Sequence, residues 1–218
     1  MRRRPLLTAL AVALAGLGLV LAAVGLVAPS GPPATENATA VSAGPGPAPG
    51  TAEGATPSPD LRQRPASGAA PISLDIPAIG VSTPVNDVGL NPDGTLEVPA
   101  PGPQYDQAAW YRGSPTPGRV GPSVIIGHVD SAADGPSVFY DLGRLRPGDR
   151  VTVTVADRSV RAFEVGSVRR VPKDAFPRLE VYGDTAGPEL RLITCSGPFD
   201  AAERSYEDNT VVFARLVP

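Results

Sequence analysis

One thiol and one imidazole are available to this chain: Cys195 is its only cysteine and His128 its only histidine. A cysteine becomes an effective nucleophile as thiolate, a form that a nearby cation or imidazolium favours. It can then attack a carbonyl, and a histidine partner can give a proton to the leaving amine. The oxyanion that develops needs donors, from backbone N–H groups or from a cation such as arginine. An arginine close to the cysteine in sequence is Arg204. Each residue also has a plain reading: a core histidine satisfied by backbone, a small buried thiol, a solvated loop arginine. The single copies exclude an intramolecular disulfide, a Cys-rich zinc site and any histidine cluster. Cys/His chemistry within one monomer must use this one pair.

The elements that would position the pair are strands. Val124-Ile125-Ile126-Gly127 leads into His128, and Leu190-Arg191-Leu192-Ile193-Thr194 leads into Cys195, so both residues end apolar runs. Glycine and proline follow or flank them (Gly127, Gly197, Pro198), and such strand ends present side chains to clefts. From residue 71 onward short β-rich runs alternate with Pro, Gly and Asp turns. Strands are expected at 73–76, 85–90, 123–128, 151–156, 160–171, 190–195 and 210–216. Val151, Val153 and Val155 alternate with threonines, the period of a half-buried strand. Asn91-Pro92-Asp93-Gly94, Pro147-Gly148-Asp149 and Asp157-Arg158-Ser159 read as turns. Short helical turns are expected near 107–111 and near 137–142, the second capped by Ser137. The pattern is all-β, a sandwich or closed barrel, with no βα alternation.

The rest of the 218 residues divides by composition. Arg2, Arg3 and Arg4 precede an uncharged stretch from Leu6 to Ala28, which as a helix would extend roughly 35 Å at about 1.5 Å per residue, enough to cross a bilayer. The arginines orient the remainder outward. Residues 1–28 are therefore expected to be a cytoplasmic tip and membrane anchor rather than a cleaved leader. Residues 29–70 have Val41 and Leu61 as their only bulky apolar residues, and read as a disordered, proline-stiffened linker. Residues 71–218 carry the domain. That domain has net charge −5, against +2 for residues 1–70, and lacks a basic cluster, so no nucleic-acid partner is expected.

The ordered set Ile125-Ile126-Gly127-His128, Asp130-Ser131, Leu192-Ile193-Thr194-Cys195 and Asp208-Asn209-Thr210-Val211-Val212-Phe213-Ala214 resembles the sortase family. The spacing from His128 to Cys195 is 67 residues, and Asp75-Ile76-Pro77-Ala78-Ile79-Gly80-Val81 resembles the family's first strand. Gly-His-Val-Asp-Ser together with Thr-Cys-Ser-Gly-Pro-Phe-Asp is similar to the actinobacterial subgroups called class E or F, closer to F. The likeness spans about 71–217.

The resemblance implies an eight-stranded sortase β-barrel and a Cys/His/Arg site without cofactor or metal. Cys195 would cleave a Leu-Pro-x-Thr-Gly-like sorting signal between Thr and Gly, with His128 as acid and then base. Secreted proteins bearing that signal would be transferred to a peptidoglycan-precursor or pilin amine, by a single-pass membrane enzyme whose catalytic domain is extracellular. In the family the arginine opens the last strand. Here that place holds Asn209, so the role passes to Arg204, with Asn209 as alternative oxyanion donor. Thr194 is expected to help form the site by backbone or hydroxyl. Two other readings compete: an L,D-transpeptidase-like wall enzyme, and a non-catalytic anchored binding module with a sortase-like fold.

Overall fold

The computed structural model describes residues 68–218; the anchor expected over 1–28 and the linker expected over 29–70, save its last three residues, lie outside them. Those three already belong to the domain. The Ala70 carbonyl accepts the Ala156 N–H at 2.8 Å, and Ala69 packs on the core.

Among the described residues ten strands form in chain order: β1 (Pro71–Ile76), β2 (Val81–Val88), β3 (Ala108–Tyr111), β4 (Gly121–Ile126), β5 (Asp130–Ser131), β6 (Gly135–Pro136), β7 (Arg150–Val155), β8 (Val160–Pro172), β9 (Pro188–Asp200) and β10 (Ser205–Leu216). Eight close a barrel in the order β1-β2-β3-β4-β9-β10-β8-β7, while β5 and β6 pair only with each other. Closure leaves no long unpaired edge within the barrel. Two of its pairings, β2 with β3 and β4 with β9, are parallel. Parallel neighbours require long connections, and the one between β2 and β3 passes His128.

Alternation sorts the side chains into two layers. Leu74, Ile76, Trp110, Ile125, Phe163, Leu190, Leu192 and Val212 fill the barrel. Ala109, Tyr111, Val124, Ile126, Ile193 and Val211 point outward, yet they are buried too. Their cover comes from the chain between β8 and β9: Phe176, the short helix α1 (Arg178–Tyr182) with fully buried Val181, and Tyr182. Strands buried on both faces read as continuous apolar runs, which is why β4 and β9 stand out in the sequence.

The expectation of a helical turn at 107–111 is corrected: residues 108–111 are β3. Ala108 and Trp110 face the barrel core, while Ala109 and Tyr111 face the outer layer. All four being apolar, no period marks the segment. Near 137–142 the chain makes successive tight turns, ending in a 3-10 turn at Leu142–Arg144. Ser137 does not cap it; its hydroxyl donates to Asp106 Oδ1 at 2.6 Å. The three expected turns form, with Gly94, Gly148 and Arg158 in the left-handed region.

Candidate active site

The parallel pairing of β4 and β9 sets the ends of the two apolar runs side by side. Its ladder ends at Ile126 opposite Ile193, so His128 follows the last pair by two residues on one side and Cys195 by two on the other. Adjacent strands lie about 4.8 Å apart. Two further bonds extend the match past the ladder: the Gly127 N–H donates to the Ile193 carbonyl at 3.2 Å, and the Thr194 hydroxyl donates to the Gly127 carbonyl at 2.8 Å. Thr194 is buried and uses its hydroxyl to tie the β9 backbone to the turn that carries the histidine. Gly127 allows that turn to sit deep. A Cβ there would lie 2.6 Å from Val138 and 2.7 Å from the Phe139 ring.

Cys195 does not end a strand. The apolar run stops there, while β9 continues to Asp200 as one arm of a hairpin with β10. Cys195 therefore sits where β9 parts from β4, half-buried, with its thiol free. On its other side β10 pairs antiparallel and opposes Asn209 directly to Cys195. Directly opposed residues share a face with Cβ atoms about 4.5–5.5 Å apart. Asn209 follows the outward parity of Val211, as Cys195 follows that of Ile193. β9 thus carries the thiol beside a strand that presents a carboxamide.

Arg204 is not brought to this level. It is exposed, in the left-handed turn at the tip of the β9–β10 hairpin, five positions before Asn209. At about 3.3 Å per strand residue its backbone stands on the order of 15 Å along the arm from Cys195.

His128 is held on several sides. Its backbone carbonyl accepts the N–H of fully buried Phe139 at 3.0 Å. Its Nε2 lies 2.8 Å from the Pro99 carbonyl. A carbonyl only accepts, so Nε2 carries a hydrogen, and in the neutral ring Nδ1 holds the lone pair. The Tyr105 ring stacks flat on the imidazole, with centroids 4.0 Å apart and planes 8° from parallel. Asp130 does not bond the histidine. Its carboxylate accepts the Tyr206 hydroxyl and its backbone carbonyl accepts the Tyr105 hydroxyl at 2.9 Å. Both phenols are raised above the ordinary tyrosine value, first by burial. The Asp130 carboxylate raises both further. They stay protonated donors at neutral pH.

Sequence reading missed Pro99, Tyr105 and Tyr206. Tyr105 and Tyr206 act through contacts made by a long loop and a hairpin arm, which no short motif marks. Trp110 and Tyr111 are buried in the two cores.

Beside Asn209 lies a cleft of about 200 Å³ walled by Leu96, Phe176, Tyr182 and Lys173. A larger one, about 930 Å³, runs between the end of β8 and the β9–β10 hairpin, and neither Cys195 nor His128 lines it. Lys173 borders both clefts.

The sortase domain model matches residues 74–217. Among solved structures, a lid mutant of sortase A from Corynebacterium diphtheriae is 22% identical with a TM-score of 0.50, over 67% of this chain and 69% of that one. Sortase C-1 from Actinomyces oris is 22% identical with a TM-score of 0.51, over 67% and 72%. A sortase D5 transpeptidase from Clostridium perfringens is 17% identical with a TM-score of 0.50, over 69% and 79%. At these identities the likeness of structures is one of fold. No curated protein matches the chain.

Proposed function

The chain belongs to the sortase family and is a cysteine transpeptidase, and we propose that it cleaves a Leu-Pro-x-Thr-Gly-like sorting signal through Cys195 and passes the protein to a cell-wall or pilin amine. The observation that carries this reading is the register: β9 holds the sole thiol, the turn that follows its parallel neighbour β4 holds the sole imidazole, and Asn209 stands opposite the thiol on β10.

The Cys195 thiolate attacks the threonine carbonyl carbon, forming a C–S bond and an oxyanion. The C–N bond to glycine then breaks as His128 gives its proton to the leaving amine, leaving a thioester on Cys195. An incoming amine loses a proton to His128 and attacks the thioester. A new amide forms, the C–S bond breaks, and the thiolate returns. Because Nε2–H is committed to the Pro99 carbonyl, Nδ1 is the nitrogen that gives and takes this proton. We assign oxyanion donation to the Asn209 carboxamide in preference to Arg204, on the strength of the cross-strand register. The apolar pocket of Leu96, Phe176 and Tyr182, bordered by Asn209, suits the leucine of the signal.

The Gly-His-Val-Asp-Ser and Thr-Cys-Ser-Gly-Pro-Phe-Asp segments support assignment to class F, in a Gram-positive cell. The arginine triplet and the 6–28 apolar stretch support a single-pass anchor with the domain outside. The test is cleavage of a quenched Leu-Pro-x-Thr-Gly peptide by the full chain, with triglycine or a stem-peptide amine as acceptor. Wild type should release the glycine fragment and form the new amide, and Cys195→Ala should do neither. Turnover that survives Cys195→Ala, or no turnover of any sorting peptide, overturns the proposal.

A further inference from the structure

His128 does not meet the β2–β3 connection by chance of packing alone: that connection is built to reach it. Residues 89–97 fold back as a small hairpin. Leu90 bridges Leu96, the Asn91 N–H donates to the Thr95 carbonyl at 2.8 Å, and Glu97 Oε2 accepts the Gly89 N–H at 2.6 Å. The strap then runs on to Pro99, whose carbonyl takes Nε2–H of the histidine. Further on, the Tyr105 N–H donates to the Gly102 carbonyl at 3.0 Å, closing a turn that aims the ring at the imidazole. This turn is fixed by the two residues that follow it. Gln107 Oε1 accepts Asn86 Nδ2 of β2 at 2.8 Å, and Asp106 Oδ1 accepts the Ser137 hydroxyl at 2.6 Å. The Tyr105 hydroxyl is anchored on the Asp130 carbonyl, and the Asp130 carboxylate is anchored by Tyr206 of β10.

An imidazole can turn about its Cα–Cβ and Cβ–Cγ bonds, and the neutral ring has two tautomers. The strap restricts both. The flat Tyr105 ring blocks rotation out of plane, and the Pro99 carbonyl selects the tautomer with hydrogen on Nε2. Offset or parallel aromatic contact is itself favourable, and a preorganised acid/base group needs no rearrangement at the moment of proton transfer.

We propose that Tyr105 is a positioning residue for the transpeptidation, which with the Pro99 carbonyl holds His128 in one orientation and one tautomer so that Nδ1 faces the reaction. This rests on the reading of His128 as the proton-transfer group. Asp130 and Tyr206 act behind Tyr105, by fixing its hydroxyl.

His128 being the only histidine, its ring nitrogens are assigned at once in the untagged, full-length, ¹⁵N-labelled chain by long-range ¹H–¹⁵N correlation at a pH where the ring is neutral. Wild type should show hydrogen on Nε2 and a lone pair on Nδ1. Tyr105→Leu should mix the tautomers and lower kcat on a Leu-Pro-x-Thr-Gly peptide about tenfold, with KM within about twofold. Tyr105→Phe keeps the stack but loses its anchor on the Asp130 carbonyl, and should shift the ring spectrum only slightly in the same sense, with kcat within about threefold. Should Tyr105→Leu fold poorly, Tyr206→Phe releases the same hydroxyl network from β10 and should move the spectrum in the same sense, more weakly. A wild-type ring with hydrogen on Nδ1, or a Tyr105→Leu enzyme with unchanged spectrum and kcat, overturns the proposal. So does a faster Tyr105→Leu enzyme, which would mark the strap as a cover. A wild-type chain that turns over no peptide rejects the sorting reaction instead, while the spectrum still decides the tautomer.

Discussion

Two single substitutions separate the alternatives for oxyanion stabilisation. Arg204 stands on the order of 15 Å along the hairpin arm from the level of Cys195. Two unit charges at that separation interact by about 0.3 kcal/mol in water, and with a screening length near 8 Å by less than about 0.1 kcal/mol. Arg204→Ala should therefore change kcat/KM by less than about twofold. Asn209 opposes Cys195 across one strand pairing, with Cβ atoms about 5 Å apart. A carboxamide at that range can donate to the oxyanion, and loss of such a donor costs about 10²–10³-fold. Asn209→Ala should show that loss mainly in kcat, because the donor acts where charge develops. The assay is initial-rate cleavage of a quenched Leu-Pro-x-Thr-Gly peptide by the full chain, with thermal unfolding as the check on folding. A 10²-fold loss in Arg204→Ala together with a near-normal Asn209→Ala would refute the reasoning. It would require the hairpin tip to fold back over the cysteine when peptide binds.

Gly127→Ala sets a Cβ against Val138 and Phe139 at contacts of 2.6 and 2.7 Å; overpacking of this kind costs about 1–3 kcal/mol, so thermal unfolding should occur several degrees lower. Thr194→Val keeps the shape of the side chain but leaves the half-buried Gly127 carbonyl without its 2.8 Å donor. It should destabilise by about 1–3 kcal/mol in denaturant titration and lower kcat more than it raises KM, since the turn it releases carries His128. The phenol of Tyr182 is pushed up to about 12 from 10.0, chiefly by burial, with the Arg178 charge opposing in part. The folded state then keeps its proton after the unfolded chain has lost it. This contribution is whole below pH 10 and disappears as pH rises towards 12. A shift of about two units corresponds to roughly 3 kcal/mol. Stability measured from pH 9 to 12 should fall less steeply in Tyr182→Phe than in wild type, and equal slopes would exclude this cause.

The legible part of the fold came from strands with a one-sided or a continuous apolar pattern. Val151-Thr152-Val153-Thr154-Val155 declared β7 by its alternation, and the unbroken runs before His128 and Cys195 declared β4 and β9 by burial on two faces. The Ala108–Tyr111 strand was misread because four buried apolar residues carry no period, and only its place between two cores makes it a strand. β2 and β4 stop at Val88 and Ile126, before the expected 90 and 128, whereas strands run past their expected ends where polar residues continue the ladder. β9 runs past Cys195 through Ser-Gly-Pro-Phe-Asp, and β10 begins at Ser205, because backbone pairing between the arms does not require apolar side chains. The extension also sets Arg204 at the hairpin tip: close to Cys195 in sequence, it lies at the far end of an arm that advances about 3.3 Å per residue. The thiol and the imidazole were identifiable because each is unique. The parallel register that joins them, and the loop that grips the imidazole through Pro99 and Tyr105, depend on pairings across long chain separations and could not be read locally.

The central claim is that the sole cysteine takes the acyl group of a sorting signal with the sole histidine serving the departing amine. Its most direct measurement is the intact mass of the full chain, quenched in acid after mixing with a Leu-Pro-x-Thr-Gly peptide in the absence of acceptor amine. The mass should rise by that of the acyl fragment ending in threonine, with the adduct mapped to Cys195 and removed by hydroxylamine. His128→Ala should accumulate little of it. An adduct on any other residue, or peptide cleavage without an adduct that persists in Cys195→Ala, would contradict the account.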